Sequence, residues 1–447
     1  MGVRFKKSIV RQGGFPLRAV CALCAEEDFF AVFVTDAGRY SCAIGAERNI
    51  LIPEAEGAFA KIEAFHAEAD ADIAGYLGYD LKNDLEDLVS ANEDPLEMPA
   101  AAFFEPKFWL EAEGNHAVLS GKSDEATAAF AERLKALPED RSTRGPEQTE
   151  PDITLSPRTD RSAYLAGARN LMSHIQRGDI YEVNYCIQFT GAAPSFDPLS
   201  AFIALQERTE APMSVFSRMG PYHILSASPE RFLKKSGDTL CSQPIKGTAR
   251  RSPDAAEDTA LAEALRNDPK ERSENVMITD LVRNDLSRVA ERDSVKVKEL
   301  FGIRSFKTVH HMVTTVTADL SPRCGPWDAV KACFPMGSMT GAPKISATEL
   351  IDRSENFRRG AYSGAFGRIS PRRDSPDRPA DFDFDFNVMI RTLLYNSDKQ
   401  LTALSVGSAL TAAADPEKEY EECLLKARAI MEVLHPKLAD RGVETPI

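Results

Sequence analysis

The side chains best placed by type and spacing for chemistry are two Glu-x-x-Glu pairs, Glu271 with Glu274 and Glu419 with Glu422. Each follows a helix start: Asp268-Pro269 opens one and Asp415-Pro416 the other, with core-type Val276, Met277, Leu281, Val282 and Leu424, Leu425, Ala427 beyond. Residues three apart are separated by roughly 60° around a helix axis, so both carboxylates of a pair leave from one face. Like charges so placed repel unless a cation sits between them. With no His or Cys beside them, a hard divalent ion such as Mg²⁺ suits them best. Spacing alone leaves a second reading, two solvated helix faces, because Lys270, Arg272, Lys418 and Lys426 adjoin the pairs.

Three further groups carry reactive potential. Lys246, in Pro244-Ile245-Lys246-Gly247-Thr248, follows a predicted strand, and its apolar and glycine neighbours allow the desolvation that lowers a lysine pKa and frees a nucleophilic amine. Glu230, in Ser228-Pro229-Glu230-Arg231-Phe232, is either ion-paired with a neighbouring arginine or held protonated as a general acid. The His310-His311 pair lies in an apolar strand or helix, where a hydrogen-bonded core role competes with a catalytic one. Phe334 to Lys344 is rich in small residues before a helix from about Pro343 to Leu350, an anion-binding turn or a plain tight turn, and it lacks the Gly-Lys-Ser/Thr order of a nucleotide loop.

The elements that must position these groups are legible in outline. Residues 15–120 alternate short apolar runs with Gly, Asn and Asp, which predicts a sheet with helices between strands. Leu17 to Val34 reads as strand-like, and Cys21 and Cys24 within it as buried structural thiols. An amphipathic helix is predicted over Asp124 to Leu137, and another from the cap at Thr159 or Asp160 to the stop at Gly178-Asp179. A strand from Ile180 to Phe189 follows. A polar excursion from Pro371 to Asp385 is predicted to be a loop inserted in a hairpin before an apolar strand, Phe386 to Leu394. The organisation expected is an N-terminal region 1–140, a solvated linker 141–158, a catalytic region 159–435 and a tail 436–447.

Composition excludes several classes. The 447 residues carry 54 Lys+Arg against 68 Asp+Glu, a net charge of −14 that repels phosphate backbones and argues against nucleic acid as a partner. No apolar stretch approaches the roughly 18–20 residues that span a bilayer, so no membrane association is expected. Eight cysteines are too sparse for a disulfide framework, and Met1 to Val10 lacks the apolar core of a secretory signal, so a cytoplasmic location is expected.

Taken in order, the motifs resemble those of the chorismate-utilising enzymes, the anthranilate synthase component I family, and within it the aminodeoxychorismate synthase branch. The resemblance rests on Gly178 to Asn184, Ser228 to Phe232, Pro244 to Thr248, Lys270 to Asp285, His311, Gly337 to Lys344, Ile390-Arg391-Thr392 and Glu419 to Glu422, and more loosely on Gly75 to Asp80. It implies an α+β fold: a two-subdomain α/β sandwich of facing, mainly antiparallel sheets with outer helices, and a Mg²⁺-dependent site between them. By matching position, Glu271, Glu274, Glu419 and Glu422 would surround the Mg²⁺ that holds the ring carboxylate of chorismate. Arg391 and Tyr362 would bind the enolpyruvyl carboxylate. Ser338, Ala409 and Lys426 would line the substrate site, His311 would join the catalytic set, and Gly341 to Lys344 would support it.

The resemblance further implies that Lys246 attacks ring carbon 2 while Glu230 protonates the departing 4-hydroxyl, after which ammonia attacks carbon 4 and expels the lysine. Anthranilate synthases have alanine where this chain has Lys246. Isochorismate and salicylate synthases need a lysine base where it has Glu182, so water is disfavoured as nucleophile. No glutaminase signature precedes residue 160 and no lyase-like region follows residue 435. Ammonia is therefore expected from a separate glutamine amidotransferase subunit. Two departures from the family pattern stand out: Glu182 replaces the usual glutamine of amine-transferring members, and Ala409 replaces a glycine whose backbone N–H approaches the ring carboxylate, a contact that alanine, which tolerates positive φ poorly, puts in question.

Overall fold

Two long neighbouring strands organise the chain. In the computed structural model, which describes residues 4–36, 38–69, 71–138, 153–372 and 381–435, Arg39–Ile52 pairs antiparallel with Ala101–Glu113 along their full length. A register shift between Ala46 and Arg48 divides this ribbon. On one side of the shift Arg39 to Ile44 pairs with Phe29–Asp36, and Phe108 to Glu113 with His116–Gly121. On the other side Ala101 to Phe104 pairs with the short buried strand Ile73–Leu77. A bulge of this kind bends a strand and increases its twist, so one ribbon serves two sheets.

From the first half the sheet continues through Ser214–Met219, Tyr222–Ser226, Thr392–Asn396 and Leu401–Thr411 to Glu182–Ala192. From the second it continues through Ala365–Pro371, Phe382–Val388, Arg231–Ser236 and Thr239–Gln243 to Val309–Asp319, which also pairs with Ile245–Arg250 and Lys296–Ser305. Every named strand pairing is antiparallel, and the expected sandwich with outer helices is what the chain forms. Each half has its own core. Tyr185, Ile187, Val406, Leu171 and Tyr420 belong to one, and Phe103, Phe366, Phe386, Leu233 and Ile278 to the other.

The helix starts behave as their sequence dictates. Asp268 accepts a hydrogen bond from the Glu271 amide at 3.0 Å and Asp415 from that of Glu417 at 3.0 Å, each with proline in the first turn of the helices Pro269–Ser287 and Pro416–Leu434. Asp160 caps Arg161–Arg177, and Gly178 ends it with φ 83°, a left-handed value that costs glycine little. The helix Asp124–Lys135 and the hairpin formed by Ala365–Pro371 with Phe382–Val388 also match expectation. Residues 139–140 at the end of the N-terminal region, 141–152 of the predicted linker, 373–380 of the hairpin loop and the tail from 436 lie outside the described residues.

Two expectations are corrected. Leu17–Cys24 is a helix, burying Val20, Cys21, Leu23 and Cys24, and only Phe29–Asp36 is strand. A short apolar run satisfies both periodicities, and here tertiary packing selects the helix. The strand expected from Phe386 to Leu394 is two strands, Phe382–Val388 and Thr392–Asn396, because Arg391 between them adopts φ 52°. The cysteines are all unpaired, and Cys21 and Cys24 are buried as anticipated. No helix among the described residues is long and apolar enough to cross a membrane.

One buried ion pair clamps the site's turn to its strand. Arg359 and Glu355, 1% and 2% exposed, meet at 2.6 Å, while Arg359 donates to the carbonyls of Met339 at 2.7 Å and Asn184 at 2.9 Å. Glu355 also accepts the Cys186 amide at 2.9 Å, and Arg359 lies 4.5 Å from the Tyr79 ring centroid. Removing one partner leaves the other as an uncompensated buried charge. Arg359→Ala is therefore expected to cost about 3–5 kcal/mol of stability by denaturant unfolding; a loss below about 1 kcal/mol contradicts the clamp.

Candidate active site

The functional side chains come from both halves. Lys246 leaves Ile245–Arg250 and His311 leaves Val309–Asp319 in one half, while Glu182 and Ala409 lie on the adjacent strands Glu182–Ala192 and Leu401–Thr411 of the other. Lys246 Nζ donates to Glu182 Oε1 at 2.7 Å, and both side chains are enclosed. Burial pulls the Lys246 pKa down, but the carboxylates of Glu182, Glu274 and Glu422 overcome it and the net shift is upward. The sequence leaves the protonation state of Lys246 open; at rest it is a firmly held ammonium. Glu182 was noticed in the sequence only as a departure, and its partnership with Lys246 spans 64 residues, so no local pattern reveals it.

Glu230 is 4% exposed and accepts Ser338 Oγ at 2.7 Å. Its loop is fixed by its own amide on Ser228 Oγ and by Ser228 Oγ on the Val388 carbonyl at 2.6 Å. Burial raises its carboxyl from 4.5 to about 7, against the lowering effect of Ser338 and Lys246. Arg231 turns away to Asp385 at 2.8 Å, so the neighbouring-arginine reading is excluded and a protonated acid is available near neutrality. Ser338 sits in the turn Gly337–Met339, whose carbonyls accept Asn184 Nδ2 and Arg359. Behind it Lys344 is pinned to Asp285 at 2.7 Å, a supporting role as expected.

His311 is 5% exposed and shares a 3.0 Å hydrogen bond between Nδ1 and Thr248 Oγ1. Burial and the Arg391 cation lower it to about 3, so it works as a neutral imidazole. The Arg391 carbonyl accepts the Ala227 amide at 3.0 Å, while its guanidinium, near Tyr362 and Glu422, forms no hydrogen bond or ion pair among the described residues. A largely enclosed guanidinium without a partner is suited to a carboxylate ligand. Tyr362 is buried beside it, and burial raises its phenol. Ala409 lies in register with Asn184 and is not among the residues with left-handed φ, so alanine sits at this backbone position without strain. Lys426 Nζ binds Glu422 Oε1 at 2.7 Å and the Gly407 carbonyl at 3.0 Å.

The two acidic helices each bring their pair to this cleft. Glu419 is 3% exposed and accepts from Ser408 Oγ and, at 3.2 Å, from Lys270 Nζ. Glu274 is 7% exposed; burial raises it to about 7, and its buried Oε1 has no hydrogen-bond partner. Glu271 is packed so closely that a Cβ on Gly247, whose φ is 95°, would lie 3.0 Å from its Oε2. Among the described residues no three acidic or metal-binding side chains already converge on one point. The donor set nonetheless fits Mg²⁺: four hard carboxylates, one orphaned oxygen and a lysine ammonium occupying the gap where a cation is required. Lys270, read in the sequence as a neutraliser of a solvated face, is the group that reasoning missed.

Comparison with known proteins identifies the family and the fold. The chorismate binding enzyme family matches residues 21–432. Aminodeoxychorismate synthase component 1 of Escherichia coli (strain K12) is 35% identical over 367 residues, 80% of this chain and 76% of that protein. Anthranilate synthase component 1 of Thermus thermophilus is 33% identical over 383 residues, 83% and 78% of the two chains. In fold, the chain is similar to the menaquinone-specific isochorismate synthase of Escherichia coli, with TM-score 0.73, 17% identity and coverage of 97% and 95%. Anthranilate synthase component I of Streptococcus pneumoniae gives TM-score 0.69 at 22% identity, covering 96% and 92%.

The Glu230 environment makes a prediction with a definite sign. Its folded pKa is raised from 4.5 to about 7, so folding favours the protonated form and stability is lost as pH rises through that window. Glu230→Gln removes the penalty. Between about pH 4 and about pH 8 the variant is expected to gain about 3 kcal/mol on the parent in denaturant unfolding, and parallel stability profiles contradict the burial.

Proposed function

This chain belongs to the family of chorismate-binding enzymes, and from that premise we propose that it is the chorismate-aminating component of an aminodeoxychorismate synthase. In this reading it converts chorismate and ammonia to 4-amino-4-deoxychorismate, on the way to 4-aminobenzoate and folate. The observation that carries it is Lys246: an enclosed lysine beside a carboxylate at 2.7 Å, in the same cleft as the protonatable Glu230. Mg²⁺, held by Glu271, Glu274, Glu419 and Glu422, would neutralise the ring carboxylate of the substrate. Arg391, with Tyr362 beside it, would take the enolpyruvyl carboxylate.

The proton inventory closes on this chain's residues. Passing the Lys246 proton to Glu182 Oε1 frees the amine without changing the net charge of the pair. The Nζ–C2 bond then forms as the C4–O bond breaks, and the Glu230 proton goes to the departing hydroxyl to give water. Ammonia forms a bond to C4, the C2–Nζ bond breaks, and Lys246 leaves as the amine and recovers its proton from Glu182. The new C4 ammonium gives up the proton that restores Glu230. Neutral His311 faces the same cleft without adding a charge that would compete for the carboxylates. Ammonia is proposed to come from a glutamine amidotransferase subunit, in keeping with the component 1 designation of the Escherichia coli relative.

The test incubates the purified chain with chorismate, Mg²⁺ and an ammonium salt, with and without an added 4-amino-4-deoxychorismate lyase. Formation of 4-aminobenzoate only when lyase is present is expected. Anthranilate and pyruvate released without lyase would instead assign anthranilate synthesis, and no turnover would assign a silent binding protein. Lys246→Ala is expected to slow amination at carbon 4 at least about 100-fold or divert it to anthranilate; an unchanged rate and product removes Lys246 from the chemistry.

A further inference from the structure

Lys270 is in an unusual place for a lysine. It stands in the first turn of Pro269–Ser287, where the helix dipole disfavours positive charge, so helix stability does not account for it. Its ammonium instead spans the two acidic helices, 3.2 Å from Glu419 Oε1 and 3.8 Å from Glu274 Oε1. Those helices are far apart in sequence, and Glu274 Oε1 has no hydrogen bond to any other group. A single cation at that point offsets the repulsion between carboxylates that both sit in a desolvated cleft.

The other lysines of the cleft are committed elsewhere. Lys246 is 10% exposed on Glu182, and Lys426 is 27% exposed, tied to Glu422 and a backbone carbonyl. Lys270 is 47% exposed, so its side chain already borders solvent. It holds the carboxylates of both helices and is free to leave them.

We propose that Lys270 is a displaceable internal counterion of the divalent-metal site, neutralising Glu274 and Glu419 until a metal ion arrives and then yielding its place to it. The inference rests on the metal reading given above. Metal binding becomes an exchange of one cation for another, so the lysine weakens metal affinity while stabilising the metal-free protein. No proton transfer is involved, and the exchange conserves every covalent bond.

The experiment measures Mg²⁺ binding by isothermal titration calorimetry, and Mn²⁺ binding by electron paramagnetic resonance, on the full chain and on Lys270→Met, Lys270→Gln and Lys270→Arg. The Met and Gln variants are expected to bind metal about fivefold to tenfold more tightly than the parent, with Arg close to the parent. Without metal, the Met and Gln variants should melt at a lower temperature and gain more from added Mg²⁺. The Gln variant keeps the comparison available if Met impairs folding. Equal or weaker metal affinity in both neutral variants overturns the proposal while leaving the metal site intact. Binding by none of the four proteins removes the metal site itself, and this role with it.

Discussion

Compensating buried carboxylates is the constraint to which the rest of this cleft answers. An uncompensated carboxylate in a desolvated site is several kcal/mol uphill, and Glu182, Glu230, Glu274 and Glu419 are each less than one-tenth exposed. Each is relieved in its own way. Glu182 holds the Lys246 ammonium, Glu230 shifts toward its neutral form against Ser338, and Glu419 takes Lys270 and the Ser408 hydroxyl. Glu274 is left with an orphaned oxygen and a raised pKa. Compensation is least complete there, and it is this residue that the proposed divalent ion would relieve.

The sandwich makes this arrangement possible because each of its two halves carries lysines and glutamates that find their counter-charges on the other. The strand Glu182–Ala192 and the helix Pro416–Leu434 belong to one side, whereas Ile245–Arg250 and the helix Pro269–Ser287 belong to the other. Lys246 and Glu182 can therefore meet only when the halves are docked, and so can Lys270 and Glu419. The Glu355–Arg359 pair holds the Ser338 turn to the strand of Glu182 from beneath. Rigid support for a charged cleft is what keeps Lys246, Glu230 and Arg391 in fixed relation to one another.

Much of this was legible from residue order, and the exceptions share a cause. Capping at Asp160, Asp268 and Asp415 and termination at Gly178 are local, so the helices they bound were read to within a few residues. The glutamate pairs, Glu230, Lys246 and Arg391 stood out because each lay in a recognisable motif. Leu17–Cys24 was misread because eight residues with an apolar face carry too little periodicity to separate helix from strand. The strand break at Arg391 is a backbone event with no glycine or proline beside it, whereas the register shift at Ala46 follows Gly45, whose φ is 66°, and faces Pro106, a local signal that the sequence reading passed over. The pairings Lys246–Glu182 and Lys270–Glu419 are long-range consequences of docking the halves. A spacing argument pairs Lys270 with Glu274 four residues on and cannot see Glu419 beyond it.

The account turns on Lys246 acting as a nucleophile rather than as a fixed counter-charge to Glu182. Mass spectrometry of the protein incubated with chorismate and Mg²⁺ in ammonia-free buffer tests this most directly, by intact mass and then by peptide mapping. The prediction is a covalent adduct on Lys246, heavier by chorismate less one water, that is discharged when ammonium is added. Absence of any adduct on Lys246, in a preparation that aminates chorismate once ammonium is present, would contradict it.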